Sequence, residues 1–135
     1  MRRKNNKNVK ILIVDDNQMV SLATSAMVGS INNFKIIGMV TGAKEMFKFL
    51  KRKIPDIILM DVSMIPIDGV EATKYIQENY DEISVIGFSA HDCSVYKDEM
   101  INAGARDYLL KSNALPEIVN CINNVWKNGL GITTC

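Results

Sequence analysis

The sequence predicts a doubly wound α/β fold: five parallel strands alternating with five helices. Two observations carry this. The short runs VKILIV (9–14), IILM (57–60) and SVIGF (84–88) are continuously or nearly continuously apolar, as in strands buried on both faces of a parallel sheet. The stretches between them place apolar residues at helical spacing, so helices are available to cover both faces. A third regularity concerns the strand ends. Asp15-Asp16, Asp61, Ser89 and Lys111 each follow a predicted strand, on the edge where open α/β sheets bind ligands.

Taken in order, Val9 to Val14 forms the first strand. It feeds a helix with Met19, Leu22, Ala23, Ala26 and Met27 at helical spacing and the aspartates in its first turn. Asn32-Asn33 breaks that helix, and Lys35 to Val40 reads as the second strand. An amphipathic helix over Gly42–Lys53 carries Ala43, Met46, Phe47 and Leu50 on one side and lysines on the other. Pro55-Asp56 restarts the chain into the central strand, which Asp61 ends. A loop from Val62 to Gly69 holds Pro66 and Asp68-Gly69. Val70 to Tyr80 is helical with Ile76 and Tyr80 inward, and Ser84 to Phe88 is the fourth strand. Asp92 or Ser94 caps a short helix that runs to Ala103 and stops at Gly104. Asp107 to Leu110 is the fifth strand. The last helix carries the stripe Leu115, Ile118, Val119, Ile122, Val125 and Trp126, and Gly129 ends it. Right-handed crossovers admit the flavodoxin-like strand order 2-1-3-4-5, adopted here as the known arrangement for such a chain. It puts the first and third strands beside the chain reversal, with Asp15, Asp16 and Asp61 at their ends.

The 135 residues suffice for one domain with a real core. Hydrophobic residues at 47% and charged residues at 23% are ordinary for a globular protein. Arg2, Arg3, Lys4 and Lys7 put +4 into the first eight residues, although the whole chain carries only +1. Residues 1–8 therefore read as a disordered basic tail, with a phosphate-binding arm as the alternative. The apolar stretch after them ends at Val14 before two aspartates, which excludes a signal peptide, and no run reaches membrane-spanning length. Cys93, Cys121 and Cys135 are odd in number and form no CxxC pair. They fit reduced thiols in a cytoplasmic protein rather than a disulfide or zinc framework.

Each strand-end residue taken alone has an ordinary explanation: Asp15-Asp16-Asn17 as a helix cap, Ser89 as a turn residue, Lys111 as a solvated strand end. Together they point elsewhere. Three carboxylates at one edge repel, and a hard divalent cation with oxygen ligands, most commonly Mg²⁺, relieves that repulsion. A carboxylate surrounded by a metal site, a hydroxyl and an ammonium is suited to carry a phosphoryl group.

ILIVDD (11–16), PDIILMD (55–61), Asp68-Gly69 with VEAT after it, FSA (88–90) and GARDYLLK (104–111) closely resemble the receiver domains of bacterial two-component response regulators. The resemblance spans residues 9–129, leaving 130–135 as a tail or the start of a linker. It implies that Asp61 accepts a phosphoryl group from a histidine kinase or phosphotransfer protein. It implies direct Mg²⁺ binding by Asp16, Asp61 and the backbone carbonyl of Ser63, with Asp15 acting through a metal-bound water. Ser89 would hydrogen-bond the phosphoryl group, Lys111 would pair with it, and Tyr108 matches the aromatic that reorients when Ser89 moves. GARDYLLKS with LPEIVNCINNVWKNG (115–129) most resembles regulators of the LuxR/NarL type. Their DNA contact comes through a helix-turn-helix output domain that this sequence does not contain. A homodimer formed on phosphorylation also fits the resemblance, as does a stand-alone receiver acting by protein–protein binding.

Three positions depart from the family. The loop after Asp61 usually reads Met-Pro-Gly-x-Asp-Gly, whereas here it is Met64-Ile65-Pro66-Ile67-Asp68-Gly69. Ser112 stands where many receivers have a proline in a cis bond. His91, the only histidine, lies two residues past Ser89, where the family varies and dephosphorylation is tuned, although a loop histidine with no role is the commoner case. Two other classes compete. A haloacid dehalogenase-type hydrolase also uses a strand-ending Asp, but it needs a second Asp where Ser63 stands, and normally a cap domain. A receiver-like interaction module without phosphorylation usually lacks one of the acidic residues or the lysine, and all are present here.

Overall fold

A computed structural model describes residues 8–90, 92 and 94–128. The basic segment 1–7, His91, Cys93 and the last residues from 129 lie outside it. The strands are β1 (Val9–Val14), β2 (Phe34–Val40), β3 (Ile57–Met60), β4 (Ser84–Ser89) and β5 (Asp107–Leu110). The helices are α1 (Gln18–Gly29), α2 (Ala43–Leu50), α3 (Gly69–Asn79), α4 (Ser94–Ala103) and α5 (Leu115–Asn128). All pairings are parallel, in the order β2-β1-β3-β4-β5. Element order and strand order are those expected from the sequence. α2 ends three residues earlier than expected, and the segment from Lys51 to Ile54 descends as a turn.

The alternation of the strands explains why their apolar runs are unbroken. Val9, Ile11 and Ile13 of β1 and Ile57 and Leu59 of β3 face α1 and α5. Leu12, Val14, Ile58 and Met60 face α2, α3 and α4. Every residue of β3 is buried, so neither parity can be polar. On α5 the predicted stripe holds, with Ile118, Ile122, Val125 and Trp126 buried. Each such side chain contributes about 1.5–3 kcal/mol on burial.

Helix α1 corrects the expectation. Met19, Leu22, Ala23, Ala26 and Met27 all face solvent, with Met19 76% and Leu22 57% exposed. The buried side is Ser21, Thr24 and Val28, and the Ser21 hydroxyl has no hydrogen-bond partner. Nor is the first turn acidic, because the aspartates precede the helix. Its phase is set from the strand end. Asp15 Oδ1 accepts from Asn17 N–H at 2.8 Å, and the Asn17 side chain caps the helix by accepting from Val20 N–H at 3.1 Å. With entry and rotation pinned there, the apolar stripe points away from the sheet.

Two glycines do work that other residues cannot. Gly104 ends α4 with φ +118°, a left-handed conformation that L side chains rarely adopt. Gly69, at the start of α3, packs on the backbone just after β3. A Cβ there would collide with the Asp61 carbonyl oxygen and lie 2.8 Å from Val62 Cα. Gly69 N–H also donates to the Val62 carbonyl at 2.8 Å, which closes the loop that carries Ser63. The displaced proline of this loop is accommodated by a cis Ile65–Pro66 bond, and the Lys111–Ser112 bond is trans. Gly69→Ala is expected to lower the unfolding free energy by about 1–3 kcal/mol, the usual cost of overpacking. Urea denaturation of parent and variant measures it.

Candidate functional site

The strands converge on one acidic cleft. β1 ends at Val14 and β3 at Met60, which are partners in register, so Asp15 and Asp61 leave adjacent strands at the same height. Asp61 N–H donates to the Val14 carbonyl at 2.9 Å, locking the two ends together. Asp16 completes the group, and ligand oxygens of Asp15, Asp16 and Asp61 all lie within 4.8 Å of one another. Asp15 and Asp61 are buried, at 2% and 6% exposure, while Asp16 faces solvent.

Lys111 enters from the end of β5. Its ammonium lies 2.6 Å from Asp15 Oδ2 and 3.4 Å from Asp61 Oδ1. Among the described residues the ion pair is the sole partner of that Asp15 oxygen. Lys111 is thus held closer to Asp15 than to Asp61. Ser63 N–H approaches Asp61 Oδ1 at 3.4 Å. Ser89, the last residue of β4, is fully buried, and its carbonyl accepts from Lys111 N–H at 2.7 Å.

Burial is the largest influence on Asp61 and raises its pKa above the ordinary 3.8. Lys111 opposes that rise, Asp15 adds to it, the Ser63 N–H opposes it, and Asp16 adds least. The net direction is upward, so one ammonium does not neutralise the cleft. The donor set is carboxylate oxygens only, with the Ser63 carbonyl near the same loop. That chemistry fits a hard divalent cation.

Tyr108 does not belong to this cleft. It pairs in register with Gly87, and its ring covers the place a Gly87 side chain would take. A Cβ on Gly87 would sit 2.7 Å from Tyr108 Cδ1 and 3.3 Å from the Met100 methyl. His91 falls outside the described residues.

Sequence reasoning missed three features. Gly87, inside a strand, signalled a close approach and proves to be the bed of the Tyr108 ring. Asp56 is buried, and its Oδ2 accepts from Lys10 N–H at 2.9 Å, tying β3 to β1 at the far edge. Asp107, 1% exposed, accepts from Tyr108 N–H at 2.8 Å and from the Cys121 thiol at 3.2 Å. Burial first, and then the Asp107 charge, keeps that thiol protonated. No sequence pattern announces an Asp–Cys contact between a strand and a helix.

Residues 11–123 match the family model described as the response regulator receiver domain. The chain belongs to that family. Response regulator GacA of Pseudomonas syringae pv. syringae (strain B728a) is 30% identical over 118 residues, covering 87% of this chain and 55% of GacA. Response regulator UvrY of Escherichia coli (strain K12) is 29% identical over 118 residues, 87% of this chain and 54% of UvrY. The transcriptional regulatory protein DegU of Brevibacillus brevis is 26% identical over 125 residues, 93% and 53% of the two chains. The chain thus spans about half the length of the curated relatives it matches. Among solved structures, the receiver domain of the putative response regulator NarL from Mycobacterium tuberculosis superposes with TM-score 0.83. It is 22% identical, with 90% of this chain and 98% of that one covered. This is a receiver domain of two-component signal transduction, and its acidic cleft is of the kind that holds a metal ion.

The raised Asp61 pKa has a consequence for receiver stability. The folded state holds the Asp61 proton more tightly than the unfolded chain does. Stability therefore falls as pH rises above 3.8 through the raised value, and the penalty persists at neutral pH. In metal-free buffer at pH 7, Asp61→Asn is expected to melt at a higher temperature than the parent. The gap should close below pH 3.8, where Asp61 is protonated in both states. Melting curves across pH 3–8 measure it, and a parent as stable as the variant at pH 7 refutes the account.

Proposed function

We propose that this receiver accepts a phosphoryl group on Asp61 from a phosphohistidine of a histidine kinase or phosphotransfer protein. One observation supports this most. Asp61 is the buried carboxylate at the end of the central strand, with Lys111 Nζ 3.4 Å away and two further aspartates beside it. An Asp61 oxygen attacks phosphorus, the P–N bond breaks as the P–O bond forms, and the imidazole leaves with its electron pair. The protein acts as a phosphoacceptor that assists its own transfer and hydrolysis.

Asp16, Asp61 and the Ser63 carbonyl would hold Mg²⁺, with Asp15 acting through water. When bound, the ion offsets carboxylate repulsion and the charge of the incoming phosphoryl oxygens. Lys111 would release part of its hold on Asp15 to pair with the phosphoryl group. That group brings roughly −1.5 to −2 charge at neutral pH. The exposed Met19 and Leu22 of α1 offer an apolar surface for a protein donor, as does Ile65, 84% exposed in the β3–α3 loop.

The switch would run from Ser89 to Tyr108. A Ser89 hydroxyl drawn toward the phosphoryl group frees space next to a ring already resting over Gly87. Full conversion from 1:99 to 99:1 needs about 5.5 kcal/mol of differential stabilisation. One charge-assisted hydrogen bond supplies roughly 1.5–3 kcal/mol, so Ser89 and Lys111 would act together. The readout is the α4–β5–α5 face, with homodimer formation one outcome.

The receiver is taken as residues 9–129, flanked by a basic tail and a short C-terminal extension. DNA binding would reside in a helix-turn-helix domain carried elsewhere in a longer chain, as the lengths of GacA, UvrY and DegU suggest. Among the described residues no helix is long and apolar enough to cross a membrane, which accords with a cytoplasmic site of action.

Incubation with acetyl phosphate and Mg²⁺ should add one phosphoryl mass to the parent and none to Asp61→Asn or Asp16→Asn. An adduct on Asp61→Asn overturns the assignment. Lys111→Ala should still be phosphorylated but lose most of the chemical-shift change that beryllofluoride induces at Tyr108. Equal changes in parent and variant count against its role.

A further inference from the structure

Charge is divided along the sheet. Residues 1–56, which build β1, α1, β2 and α2, hold eleven Lys and Arg against four Asp and Glu. Residues 57–135 hold five against eleven. The strand order places these halves on opposite sides, with β2 and α2 at the basic edge and α3 and α4 on the acidic side.

At the basic edge the cations gather in one corner. Lys10 and Lys35 are partners in register on adjacent strands, about 4.8 Å apart in the pairing direction. Lys48 in the last turn of α2 and Lys51, Arg52 and Lys53 just after it come down to the same end of the sheet. Lys53 N–H bonds the Phe49 carbonyl, and Asp56 N–H bonds the Lys10 carbonyl, which joins this turn to β1. All six are exposed, and none makes an ion pair with a described residue. Two carboxylates lie three residues from these cations: Asp56, after Lys53, is buried and engaged with Lys10 N–H, and Glu45, before Lys48, is exposed in the first turn of α2. Paired lysines on neighbouring strands repel, so the corner carries a cost that an external anion would relieve.

We propose that this corner binds the phosphate backbone of duplex nucleic acid without reading its sequence. Several cations spread over two strands and a helix end suit a repeating line of charge rather than one discrete anion. Five of the six are lysines, which are point charges without the planar fork that reads guanine edges, so phosphate is the natural contact. A bilayer is the poorer fit. α2 turns Ala43, Met46 and Leu50 into the core, and Ile54, 37% exposed after Lys53, is a single apolar side chain rather than the apolar helix face that enters lipid. The acidic half faces away and orients the approach. The corner lies at the sheet edge opposite the acidic cleft, so both can be occupied together.

Fluorescence anisotropy of a labelled duplex with the full chain at pH 7 tests this. Binding is expected at low salt, equal for two unrelated sequences. With four to six phosphates contacted, the slope of log affinity against log salt should be about −4 to −5. Lys48→Glu/Arg52→Glu, both on the surface, should weaken binding at least ten-fold with unchanged circular dichroism and unchanged Asp61 phosphorylation. Glu71→Lys on the acidic side should not weaken it. Affinity that survives the Lys48/Arg52 reversal, the absence of binding at low salt, or tighter binding to phosphatidylserine vesicles than to duplex would each overturn the proposal.

Discussion

Repulsion between Asp15 and Asp61, brought to one height by the Val14–Met60 register, is the constraint around which the cleft is arranged. A sheet that ends two adjacent strands in carboxylates must supply a counter-charge, and Lys111 does so from β5, two strands away from β3. It is not enough. Burial leaves the Asp61 pKa raised even with the ammonium present. Part of the folding free energy is therefore held against an unmet charge, and a ligand that meets it gains binding energy. The ligand-free fold is the less stable for it at neutral pH.

The same strand end leads into α1. Asp15 holds Asn17 N–H, Asn17 caps α1, and the rotation so imposed sends Met19, Leu22 and Met27 outward. A helix free to choose would have buried those side chains instead of Ser21 and Thr24. The receiver thereby presents an apolar surface directly beside its acidic cleft.

Small residues at two places allow close approach that larger ones would forbid. Gly69 lets α3 start against the Asp61 backbone, which keeps the loop with Ser63 closed despite its unusual proline position. Gly87 lets the Tyr108 ring approach β4 where a side chain would otherwise stand. Asp107, by accepting from both Tyr108 N–H and Cys121, fixes the strand that carries the ring to α5.

The fold was legible in the sequence because its central strands are apolar at nearly every position: β3 is buried throughout, and β1 everywhere but Lys10. Val9–Val14, Ile57–Met60 and Asp107–Leu110 were bounded to the residue, since a buried strand stops where the first charge leaves the sheet. Asp15, Asp16, Asp61 and Lys111 were legible for the same reason, each being the charge that ends or follows a run. Periodicity also revealed which residues of α5 face inward, but it misjudged α1, because a hydrophobic stripe records that a face is apolar and not what covers it. The Lys111–Asp15 distance, the raised pKa of Asp61, the Gly87 bed under Tyr108 and the Asp107–Cys121 bond arise between segments far apart in the chain. Only tertiary structure decided those, since strand register and side-chain reach across the sheet leave no periodic trace in sequence.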